Sequence, residues 1–135
     1  MNTGIQHLHH YLPYIFLIVL IVSILRAYLG KIENPKKDKL LLVTLILAHI
    51  QLLLGLHLIY QNINIDWASV MKDSDLRFRF IEHPTMMLLG VLLITIGKLK
   101  AKKIEDVTKA NKTIFSYFWI ALVLIALRTP WDKLF

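Results

Sequence analysis

Four apolar runs, each about 20 residues long and separated by short polar connections, constrain this chain more than anything else in it. A helix of about 20 residues rises about 30 Å, the thickness of a bilayer's hydrocarbon core. Lipid offers backbone N–H and C=O groups no partners, so segments of this kind cross as helices. The reading is an all-α, four-transmembrane-helix up-and-down bundle over residues 1–135, one domain, with spans at about 11–30, 40–60, 78–97 and 113–130. Lipid bilayer is its first partner. Residues 1–10 carry no Lys or Arg, so the basic start of a cleavable signal peptide is missing and the first run is kept as a span.

Net charge is +7, and its distribution matters more than its size. Residues 26–39 and 98–112 hold 11 of the 16 Lys and Arg residues. The opposite side has Lys72, Arg77, Arg79, Arg128 and Lys133, offset by Asp66, Asp73, Asp75, Glu82 and Asp132. Basic short loops stay cytoplasmic, which puts both termini on the periplasmic side of a bacterial inner membrane. Tyr11, Tyr14, Tyr60, Trp67 and Trp131 gather on that outer side, as an interfacial aromatic belt does. Charge of this kind reads as membrane orientation and not as nucleic-acid binding. Cysteine is absent, which removes thiolate ligation and disulfides.

The third run carries the unusual residues. Its strictly apolar part, 85–97, is too short to span, so it must extend back to Phe78 and take Glu82 and His83 below the surface. Ionisable groups at such depth are functional candidates. Pro84 lies within that helix and is expected to kink it, freeing a carbonyl near His83. Pro13 falls in the first turn of the first span, where a missing N–H does little harm. Ser74 or Asp75 caps the third helix.

At about 1.5 Å per residue from the cytoplasmic boundary, His49 lies roughly 15 Å up, His83 about 22 Å and His57 about 27 Å. Arg128 lies at about 24 Å and His9 at roughly 33 Å. Imidazoles from separate helices in one half of a bundle, with guanidinium groups beside them, match the needs of b-type haem. Neutral imidazole ligates the iron, and Arg pairs with the anionic propionates. The first choice of iron ligands is His49 with His83, with His9 as the substitute. Arg128, Arg77 and Arg79 are candidates for the propionates, Glu82 for orienting a ligand, and Gly90 for letting a porphyrin approach the backbone. The pairings His83 with His57, with His49 and, diagonally, with His9 all remain open on height.

Further features resemble a known family. HLH at 7–9, HIQLLLG at 49–55, RF at 77–78, EH at 82–83, LITIG at 93–97 and RTPW at 128–131 together resemble small bacterial four-span membrane proteins labelled cytochrome b. The resemblance covers nearly the whole chain. It implies a haem site built from His7 or His9, His49, Glu82-His83, Arg77 and Arg128, and it does not favour His57. The stretch His10-Tyr11-Leu12-Pro13-Tyr14 departs from the family pattern, which ends in Leu-Arg-Trp.

The functional expectation is therefore an integral membrane haem b protein that transfers electrons with quinol or a respiratory complex. No nucleophile, general acid/base pair or phosphate loop is visible, so an electron carrier is favoured over an independent enzyme. Two alternatives accompany it. One is a cofactor-free structural or assembly subunit. The other is a copper-handling protein using His7, His9 and His10 with Met71, Met86 and Met87.

Overall fold

A computed structural model describes residues 3–62 and 64–131, so Asp132 and Lys133 of the outer-side charge set lie outside the described residues. The chain folds as α1 (Thr3–Tyr28), α2 (Lys39–Tyr60), α3 (Trp67–Lys72), α4 (Ser74–Arg77), a π-helical turn (Phe78–Glu82), α5 (His83–Ala101) and α6 (Val107–Leu127). No strand occurs among the described residues. α4, the π turn and α5 run on continuously, giving a 28-residue helix. With α1, α2 and α6 it makes four helices long and apolar enough to cross a membrane, and the protein is a multi-pass membrane protein.

Side chains that would stay hidden in a water-soluble bundle are on the outside here. Ile18, Leu53, Ile120 and Leu127 are each at least half exposed, as lipid-facing residues are. The interior is a narrow seam. α1 contributes Phe16, Leu20, Ile24 and Ala27, spaced by four, four and three. α6 answers with Ala110, Ile114, Phe118, Ala121 and Ile125. The helices form a ring in which α1 packs on α2 and α6, and α5 packs on α6 and α2. α1 and α5 face each other diagonally. α5 and α6 share the most extensive contact, because Gly90 and Gly97 let the two backbones close together.

Several helix ends differ from the sequence reading, each for a local reason. α1 starts at Thr3, eight residues before the predicted span, because nothing in Gly4–His10 breaks a helix once Tyr11 onward nucleates it. Pro13 therefore sits in the helix interior, not in the first turn. α4 is capped by Asp73, whose carboxylate accepts from the N–H groups of Asp75 and Leu76, and not by Ser74 or Asp75. α6 starts at Val107, capped by Asp106, and not near Thr113. Pro84 cannot donate to the Phe80 carbonyl, and its ring crowds that carbonyl. The backbone responds by widening: the His83 N–H bonds to Phe78 O, five residues back.

Two polar links close the opposite end. Arg26 clamps Asp38 with two N–H donors, one at 3.0 Å, while Asp38 also caps α2 at Leu41 N. Buried Asn111 accepts from Ile32 N–H at 3.1 Å and donates to Ile32 O at 2.8 Å, fixing the first loop to α6.

Candidate functional site

The early start of α1 carries His9 into the bundle. Pro13 has no N–H to give the His9 carbonyl four residues back, so that carbonyl needs a donor from elsewhere. Gln51 of α2 supplies it, with Nε2 2.9 Å from His9 O. Gly55, one turn further along α2, leaves room for the His9 ring; a Cβ there would lie 3.2 Å from His9 Cε1. A proline on α1 and a glutamine and glycine on α2 thus set where His9 stands.

His83 arrives from the diagonal helix. The π turn leads directly into it, and its ring stacks on Phe78 with centroids 6.0 Å apart. Its Nδ1 lies 2.7 Å from Arg128 O, just past the end of α6. A carbonyl oxygen only accepts, so Nδ1 carries the hydrogen and Nε2 keeps its lone pair. That tautomer, held by a carbonyl partner, is one that metal-binding histidines adopt when they ligate through Nε2.

The two imidazoles meet across the bundle. Their centroids are 6.4 Å apart and their planes are nearly perpendicular, at 84°. Two imidazoles placed trans on one metal at about 2 Å each hold their centroids roughly 6 Å apart. Around them lies a cavity of about 540 Å³, walled by apolar side chains such as Phe16, Leu17, Leu52, Met87 and Val91. That volume is in the range of cofactor pockets. His9 Nδ1 and Gln51 Oε1 are buried there without a hydrogen-bond partner. Unpaired buried polar atoms are rare and call for a physical account. Two neighbouring imidazoles, largely apolar walls and unpaired polar atoms fit a flat metal-bearing group such as haem, which His9 and His83 would hold.

The remaining predicted residues divide clearly. Arg79 lines the cavity, exposed, and makes no ion pair among the described residues. Arg77 and Arg128 do not line it. Both turn to Glu82, at 3.2 Å and 3.6 Å. The Glu82 carboxylate faces Arg128 and not the His83 ring, and the Arg128 carbonyl accepts the hydrogen bond from His83 Nδ1–H. Gly90 lies against α6, where an added Cβ would meet Ile125 at 2.7 Å, and its role here is helix packing. His49 is separate from the His9–His83 pair: it is exposed on the outer side of α2, with Nδ1 2.7 Å from Leu45 O. His57 is exposed too. His7 stacks on Tyr11, and no three His, Asp or Glu side chains converge among the described residues.

Sequence reasoning passed over Gln51 and Gly55 as site residues. The signal was present: His9 stands four residues before Pro13, which marks its carbonyl as one seeking a donor.

No protein-family model, no curated protein and no solved structure matches this chain.

Proposed function

We propose that this protein is a b-type haem carrier of a bacterial inner membrane, with His9 and His83 as axial ligands, passing electrons to or from quinol or a respiratory partner. The observation that carries this reading is the His9–His83 pair: two imidazoles on diagonal helices, 6.4 Å apart, in an apolar cavity. A haem would need no more than two ligands from the protein, which His9 and His83 would supply, whereas copper and zinc sites draw more ligands from the protein. The motif resemblance to small four-span proteins labelled cytochrome b supports the same reading. A haem bound there would supply one-electron chemistry between ferric and ferrous iron.

This chain's own groups hold the ring and its charges. The Arg128 carbonyl keeps Nε2 of His83 free for a metal. For His9, Gln51 holds the backbone carbonyl and Gly55 leaves room for the ring. Arg79 is the guanidinium available for a propionate carboxylate. Largely apolar walls, with Arg79 among them, and a histidine from each of two helices would favour electron exchange over ligand chemistry at the iron.

Absorption spectra of the purified full chain test this. Wild type should show a Soret band and, on reduction, sharp α and β bands. His9→Ala and His83→Ala should each abolish the bis-histidine spectrum, while His49→Ala should retain it. A colourless wild type, or an unchanged spectrum in both cavity variants, would overturn the assignment.

A further inference from the structure

The haem reading leaves His49 unused, and its surroundings are unusual. It stands midway along the 22-residue α2, at the depth of the acyl chains, and is exposed. Its Nδ1–H is committed to Leu45 O at 2.7 Å. In the neutral ring Nε2 is then a bare acceptor. Among the described residues no donor reaches it. Hydrocarbon has none to offer, and an ionisable side chain at this depth is costly unless something engages it.

The chemistry of the gap limits what fits. A second copy packed on this stripe would bring Ile46, Ile50, Leu53 and its own His49, whose Nδ1–H is already committed, so none of them offers Nε2 a hydrogen. Acyl chains donate nothing. A quinol dissolved in the bilayer offers a flat ring with phenolic O–H donors and a long apolar tail. Leu53 and Leu56, 65% and 48% exposed, continue the lipid-facing stripe of His49 and give that tail an apolar track. Ala48, Gln51 and Leu52, all within three residues of His49, are on the cavity wall, so one helix separates the two places.

We infer that His49 is a docking point for a membrane quinol, whose hydroxyl donates to Nε2 while its tail lies along Leu53 and Leu56. The choice of quinol as the donor rests on the electron-carrier reading; the need for a donor at Nε2 does not. The oxidised quinone has acceptor oxygens and no O–H to donate, so this site prefers the reduced form.

The test uses the full chain in phosphatidylcholine nanodiscs, titrated with decylubiquinol and, separately, decylubiquinone. The Nε2 resonance of ¹⁵N-labelled His49 should move with the quinol and stay put with the quinone. By calorimetry, His49→Leu should weaken quinol binding by roughly tenfold, the worth of one hydrogen bond in a dry site. His57→Leu, which alters an exposed histidine elsewhere on the same helix, should leave binding unchanged. Absence of saturable quinol binding to wild type, an unmoved Nε2 signal, or equal affinity for quinol and quinone would overturn the inference. The two proposals fail separately: quinol binding in a protein without a Soret band removes the haem reading alone, and a haem spectrum without quinol binding removes the docking site alone.

Discussion

Pro13 shows how one missing N–H organises an interior. Within α1 it strands the His9 carbonyl, and Gln51 of the neighbouring helix reaches across to it. In a bilayer the alternative is an unsatisfied carbonyl, so the contact ties α1 to α2 at the depth of the cavity. Gln51→Leu should therefore lower the melting temperature in detergent, by the equivalent of about 1–3 kcal/mol for a buried acceptor left unpaired. Pro13→Ala in the same chain restores the N–H and should recover most of the loss. Independent, additive effects of the two changes would refute the coupling. Asp38 makes a second residue-scale case. Hydrogen bonding to Arg26 holds its carboxyl below the ordinary 3.8. A lowered folded-state value means that its contribution is complete above the unfolded value and lost as pH falls through the folded one. Wild type should thus lose stability in acid below about pH 4, and Asp38→Asn should flatten that limb while keeping the α2 cap. Melting curves collected from pH 6 down to pH 2.5 decide it, and parallel acid limbs in the two proteins would contradict the assignment.

At the scale of elements, two glycines on α5 look alike in sequence and differ in surroundings. A Cβ on Gly97 would meet Tyr117 Cβ at 2.6 Å, an atom fixed to the α6 backbone. A Cβ on Gly90 would meet Ile125 Cγ1 and Cδ1, at 2.7 Å and 2.9 Å, in a side chain that can rotate. Gly97→Ala should cost about 1–3 kcal/mol through overpacking, and Gly90→Ala should cost less. Equal melting shifts would show that the helices part as readily at one end as at the other. Four helices were legible in the sequence because lipid enforces a length and a composition, and the structure has them. Their ends were less legible. Hydropathy does not register His7–His10 as helical, so α1 appeared eight residues short and Pro13 was assigned to its first turn. The π turn before His83 follows from Pro84, but a proline alone does not say whether the backbone kinks or widens. In the site, His9, His83 and Arg79 were legible as residue types at one end of the bundle. Which face of α2 turns inward was not, because that helix is apolar all round, and His49, read as a ligand, stands on the exposed face, off the wall of the His9–His83 cavity.

The whole molecule adds a constraint that no single helix carries. His83 at the start of α5 bonds the residue after α6, and His9 near the start of α1 lies against Gly55 in the second half of α2. All four helices therefore bring the same end to the cavity, and α1 begins where α6 finishes. The other end is gathered by Asn111 on Ile32 and Arg26 on Asp38, in and beside the two basic loops. Charge and architecture are thus segregated along one axis: the cavity at one end, and 11 of the 16 basic residues at the other. Because Lys and Arg in short loops are retained in the cytoplasm, the cavity end should face the periplasm. Alkaline phosphatase fused after residue 135 should be active in cells, and the same enzyme inserted after Lys103 should be inactive. Reversed activities would turn the molecule over, moving the paired imidazoles to the cytoplasmic leaflet and any electron exchange at the cavity mouth to partners on that side.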